Sequence, residues 1–125
     1  MIAAARATLR ALPHSLSVNL CVISPGKMKK LNHEYRNKNR ATDVLSFTSI
    51  FDGGDVLVCL AVARRQAKEN GILLGEELSR LTVHGILHLF GYDHEKSAAE
   101  AKKMFALQEK ILGTHFLLGE EAPLP

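Results

Sequence analysis

Between Leu81 and Phe90 the side chains of Leu81, Val83, Ile86, Leu87, Leu89 and Phe90 fall on most sides of any helix built from this stretch. A helix that is apolar nearly all round belongs at the centre of a molecule, so the remaining elements must be ones that cover it. Yet the same segment carries His84 and His88, and His94 follows three residues after Gly91. Burying imidazoles without partners is costly. Their spacing offers a resolution. Residues four apart project from one helix face about one turn apart. A glycine at 91 permits the left-handed backbone that ends a helix and turns the chain back. His94 then arrives in position to complete a set of three. Three neutral imidazoles with a fourth position left open make the donor set of a catalytic zinc, one ion per chain. Nickel, copper or iron would accept the same donors.

The spacing matches the metzincin proteases, His-Glu-x-x-His-x-x-Gly-x-x-His, except at one place. Their Glu is the general base, and here that position is Gly85. Loss of a positioned base costs on the order of 10²–10⁴ in rate. A protease would need another carboxylate, and Asp93 is the nearest. The alternative role for Asp93 is to orient a ligating imidazole through a hydrogen bond, the usual companion of such ligands. His14, His33 and His115 show no ligand spacing and are read as structural or exposed.

A coarse pass along the chain predicts helices over Ile2–Leu12, from the Ser24-Pro25 cap to about Tyr35, and over Ala61–Glu69, Glu76–Phe90 and Ser97–Leu112. Strands are predicted over Leu16–Ile23, Val44–Phe47 and Asp55–Cys59, with a turn at Asp52-Gly53-Gly54. The fold class is therefore α+β: a small mixed sheet packed with about five helices, the metal site lying at the end of the central apolar helix. Residues 1–118 read as a single domain and 119–125 as a disordered C-terminal tail. No apolar run reaches the roughly 18 residues that a membrane span needs. With 46% hydrophobic and 23% charged residues the composition is that of an ordinary globular protein. Cys21 and Cys59 lie in apolar strand-like runs without metal spacing and read as buried reduced thiols, in keeping with a cytoplasmic location.

Charge points to the partner. Lys27, Lys29, Lys30, Arg36, Lys38 and Arg40 stand against Glu34 alone between positions 27 and 40, a local +5 that exceeds the +3 of the whole chain. Such clusters attract phosphate backbones, which makes Lys27, Lys30, Arg36, Lys38 and Arg40 candidate contacts to a nucleic-acid backbone. A solvated helix face is the alternative for the three lysines of the first turns.

Three blocks carry a family resemblance. His84-Gly85-Ile86-Leu87-His88-Leu89-Phe90-Gly91-Tyr92-Asp93-His94 resembles the signature of the YbeY family. Leu31-Asn32-His33-Glu34-Tyr35-Arg36 with Thr42-Asp43-Val44-Leu45-Ser46-Phe47 is similar to a second family block, and Gly54-Asp55-Val56 to a third. In order, the similarity runs from about Leu16 to Leu112. Asn39, Ala41 and Thr48 depart from the family's usual residues. The resemblance implies a zinc-dependent endoribonuclease specific for single-stranded RNA. It further implies action in maturation of the small-subunit ribosomal RNA 3′ end and in ribosome quality control, with the ribosome or its proteins as partners. It makes Arg36 the functional arginine. That guanidinium can hold a phosphate bidentately and offset transition-state charge, while a zinc ion provides a water of lowered pKa without a strong base. Asp93 is a candidate for proton transfer. Hydrolysis and attack by the RNA 2′-hydroxyl both stay open. Two other classes also remain: a metal-stabilised ribosome-assembly factor without catalysis, and a metzincin-like protease. A monomer is the default.

Overall fold

A computed structural model describes residues 1–12, 17–48, 54–92 and 95–117. The chain runs α1 (Ile2–Ala11), β1 (Val18–Ile23), α2 (Pro25–Arg36), β2 (Val44–Thr48), β3 (Gly54–Cys59), α3 (Leu60–Asn70), α4 (Leu74–Leu89) and α5 (Ala98–Leu117). The strands form one sheet in the order β1-β3-β2. β1 lies parallel to β3, with Val18 opposite Gly54 and Ile23 opposite Cys59, and β2 lies antiparallel, with Val44 opposite Val58. This is the expected mixed sheet in an α+β fold.

Local chemistry explains where the helices begin and end. Ser24 caps α2, its hydroxyl accepting from the Lys27 backbone N–H at 3.2 Å, and Pro25 occupies the first turn, where its missing N–H costs nothing. Asn37, at φ 56°, ends the helix in left-handed backbone. Gly71 does the same for α3 at φ 65°, and Gly91 takes φ 91° just past α4. Most boundaries differ from the expectation by a residue or two, and two of the shifts have a physical reason. α4 starts at Leu74 rather than Glu76, without a side-chain cap, and its first turn gains instead from Glu76 and Glu77 beside the positive end of the helix dipole. α5 runs through Gly113 to Leu117, because a glycine costs a helix only about 1 kcal/mol and does not by itself end one. Leu16 of the expected first strand, the Asp52-Gly53 part of the expected turn, His14 and the 119–125 tail lie outside the described residues.

α4 is central, as its apolar circumference requires. It touches α1, α3 and α5 as well as β2 and β3. Val83, Ile86 and Leu87 are fully buried. On one sheet face α4 packs with Val56 and Val58 of β3. On the other, Met28 of α2 meets Leu45, Cys59 and Val62. Buried hydroxyls are satisfied within their own helices: Thr8 donates to the Ala4 carbonyl at 2.8 Å and Thr82 to the Leu78 carbonyl at 2.7 Å. Cys21 corrects the sequence reading, for it is exposed while Cys59 is buried, and neither forms a disulfide. The helices cover the middle strand, and at the sheet edge Cys21 and Val22 of β1 stay open to solvent. Among the described residues no helix is long and apolar enough to cross a membrane.

Helix and sheet approach closely at Gly85. A Cβ there would come within 2.6 Å of Val56 Cγ1, 3.1 Å of Val44 Cγ2 and 3.2 Å of Ser46 Oγ. Ser46 uses that proximity to donate to the Gly85 carbonyl at 2.7 Å. Helix propensity alone would favour alanine at 85 by about 1 kcal/mol. Gly85→Ala is nevertheless expected to destabilise the fold by about 1–3 kcal/mol, the usual cost of overpacking. Gly26→Ala, where an added methyl meets nothing within 4 Å, should cost little or stabilise. Urea denaturation of the two variants checks the contrast.

Candidate metal centre

Helical periodicity places Glu77, Leu81, His84 and His88 on one stripe of α4, at intervals of four, three and four residues. With Gly85 turned to the sheet, this stripe runs along the adjoining flank of the helix and helps to wall a cleft of about 890 Å³. The rings of His84 and His88 lie 4.9 Å apart at an interplanar angle of 68°. Two imidazoles sharing one tetrahedral zinc, with Zn–N near 2.0–2.1 Å, need ring centres about 5 Å apart. The pair therefore fits a common ion.

His84 is held by a residue that the sequence reading missed. Its Nδ1 lies 3.0 Å from Oε1 of Gln108, a side chain of α5 that is only 4% exposed. The amide oxygen can only accept, so Nδ1 carries the proton and donates. The neutral ring then has its lone pair on Nε2, the nitrogen that a metal would take. An orienting hydrogen bond of this kind is what ligating histidines need. Gln108 thus orients His84, and nothing in the local spacing signals it, because the two residues are 24 positions apart. Asp93 and His94 lie outside the described residues. Among those described, no group of three or more His, Cys, Asp and Glu side chains is disposed to hold an ion. The described ligand candidates are therefore His84 and His88.

Position 85 also acquires a physical reading. A Cβ there would be driven into Val44, Ser46 and Val56. The protease-type base is absent by identity, and the close packing penalises a larger residue at this position.

The cations reach the same cleft from a different element. Arg36, Lys38 and Arg40 line it together with His84 and His88, and Arg80 of α4 joins them. Lys27 and Lys30 are exposed on the first turns of α2 and do not line it. The segment after α2 is pinned rather than loose. Asn37 N–H donates to the His33 carbonyl at 3.2 Å, Lys38 N–H to the Asn32 carbonyl at 3.3 Å, and Asn32 Nδ2 to the Arg40 carbonyl at 2.9 Å. Asn32 is 1% exposed. This buried amide, easily passed over beside five cations, fixes where the cations stand.

The cleft also carries carboxylates. Glu77 is buried in the wall, with Arg80 Nε 3.7 Å from its Oε1. Burial pushes its pKa above the usual carboxylate range, Arg80 partly offsets this, and Asp43 adds to it. Asp43 itself accepts from its neighbour's backbone, Val44 N–H, at 2.8 Å. A carboxylate whose folded pKa is raised binds protons more readily in the native state, so its ionisation costs stability as pH climbs from the unfolded value through the folded one. Glu77→Gln removes that cost. The variant should match the wild type in stability near pH 4 and exceed it increasingly as pH rises through and above the ordinary carboxylate range, as read by denaturation at stepped pH.

Comparison with known proteins agrees with this architecture. Residues 2–115 match the family described as endoribonuclease YbeY. A curated endoribonuclease YbeY of Bdellovibrio bacteriovorus is 44% identical over 103 residues, covering 81% of this chain and 69% of that protein. One from Sulfurihydrogenibium is 42% identical over 105 residues, covering 78% and 69%. A solution structure of a Thermotoga maritima protein superposes with a TM-score of 0.66 at 30% identity, over 98% of this chain and 85% of that one. With the family match spanning nearly the whole sequence and relatives of this similarity, the chain belongs to the endoribonuclease YbeY family.

Proposed function

We propose that this chain is a zinc-dependent endoribonuclease of single-stranded RNA, acting in the cytoplasm on ribosomal RNA at the 3′ end of the small subunit and contributing to ribosome quality control. Family membership supports the nuclease part. The observation that supports metal-assisted chemistry on a phosphodiester is the shared cleft: a pair of imidazoles spaced for one ion lines the same cavity as Arg36, Lys38 and Arg40. Such a pairing of donors and cations suits a phosphodiester, which is anionic and needs charge neutralisation as it reacts.

In this reading His84, His88 and His94 hold one zinc. When bound, the ion supplies Lewis acidity toward a phosphoryl oxygen and a water of lowered pKa. Gln108 keeps the His84 proton on Nδ1, so that Nε2 stays a donor of electrons. Arg36 grips the scissile phosphate, its planar guanidinium matching two oxygens at once. Lys38 and Arg40 hold flanking phosphates and give the affinity its salt dependence. Asp93 is assigned proton transfer to the leaving group or a hydrogen bond to a ligand.

Two variants separate these roles. His88→Ala should lose zinc and cleavage while retaining most of its affinity for single-stranded RNA. Arg36→Ala should keep zinc at wild-type content and lose about 10²–10³ in the cleavage rate, the usual effect of removing one charge-stabilising donor. Elemental analysis, filter binding and single-turnover cleavage of a ribosomal RNA fragment read the three quantities. If Arg36→Ala cleaves at the wild-type rate, the arginine's role is wrong. If the wild type binds zinc and RNA but never cleaves, a metal-stabilised assembly factor becomes the better account.

A further inference from the structure

Five large apolar side chains are exposed among the described residues: Ile2, Val22, Tyr35, Leu73 and Phe105. Ile2, Val22 and Leu73 do not adjoin, in the chain, any cation that lines the cleft. Phe105 stacks beside His84, ring centres 6.2 Å apart. Tyr35 differs from all four. It is 65% exposed and immediately precedes Arg36, the first cation of the cleft mouth, while itself lying outside the cleft wall.

Its ring is backed as well as exposed. Phe47 meets it edge to face with centroids 5.1 Å apart and an interplanar angle of 66°. Phe47 sits on β2, paired with Asp55 of β3, so the support belongs to the sheet. Tyr35 comes from the last turn of α2, whose end the Asn37 backbone and Asn32 hold in place. A large aromatic surface is thus presented to solvent with little conformational freedom left to lose. Exposed aromatics beside a cation-lined groove are how proteins take single strands, because every base offers a π-face and every linkage a phosphate.

We propose that the Tyr35 ring is a stacking platform for one nucleobase of a single-stranded RNA whose backbone enters the cleft past Arg36. This rests on reading the chain as a nuclease of single-stranded RNA and adds to it a base-binding subsite outside the metal cleft. The platform selects for unpaired strands, since a base inside a duplex cannot offer its face. It reads no sequence.

The chain has no tryptophan, so Tyr35→Trp introduces a single reporter that keeps the aromatic surface. Its fluorescence should be quenched on adding single-stranded oligoadenylate, and not on adding an abasic ribose-phosphate oligomer of equal length. In parallel, Tyr35→Leu, which still covers Phe47, should weaken oligoadenylate binding roughly 5- to 150-fold, the range for loss of one base stack. Tyr35→Phe should bind as the wild type does, and all three should keep zinc content and thermal stability. Equal quenching by the abasic oligomer, or wild-type affinity in Tyr35→Leu, would overturn the platform and leave the nuclease reading intact. If the unaltered protein binds no single-stranded RNA, the nuclease reading fails first and takes the platform with it.

Discussion

The close contact of α4 with β2 and β3 at Gly85 governs the rest of the molecule. Without a side chain there, the helix settles onto Val44, Ser46 and Val56, and Ser46 donates to its backbone. That contact fixes the rotation of α4 about its own axis. Once Gly85 is turned to the sheet, helical geometry sets Glu77, Leu81, His84 and His88 along the adjoining flank, where Val44 and Ser46 line the same cleft. The stripe that could hold a metal is thus oriented by packing against residues distant in sequence, Val44, Ser46 and Val56. A methyl at this position would push on the helix that carries both described ligand candidates, so fold and site share one point of failure.

From that orientation the electrostatics of the cleft follow. Imidazoles lie near the C-terminal end of α4, where the helix dipole favours positive charge. Arg36, Lys38 and Arg40 approach from the end of α2, and Arg80 joins from α4 itself. Glu77, with its pKa raised by burial, sits two turns toward the helix N-terminus from His84. A polyanion in the cleft would meet these cations, Arg80 being shared with Glu77.

Much of this was legible in the chain because it rests on periodicity and caps. The central helix, the Ser24-Pro25 start of α2 and the His84–His88 pair follow from spacing alone. So does the cluster of Arg36, Lys38 and Arg40, although only the fold shows that it faces the histidines and that Lys27 and Lys30 do not. Other features needed long-range contacts. Gln108 meets His84 across two helices, and Asn32 acts by holding the Arg40 carbonyl; neither residue type carries a local signature for such work. Cys21 was misjudged because an apolar strand pattern does not reveal whether the strand is central or at an edge. Gly85 reads in the sequence only as a missing base; that it is also a packing surface against Val44, Ser46 and Val56 needed the fold.

The central claim is that one ion sits between the histidines and works with the cations of the same cleft. It is tested most directly by metal content of the purified protein, measured by elemental analysis, alongside cleavage of single-stranded ribosomal RNA before and after chelation. The account predicts about one zinc per chain, cleavage lost with the metal and restored when zinc is returned. A protein that carries no metal and still cleaves would contradict it.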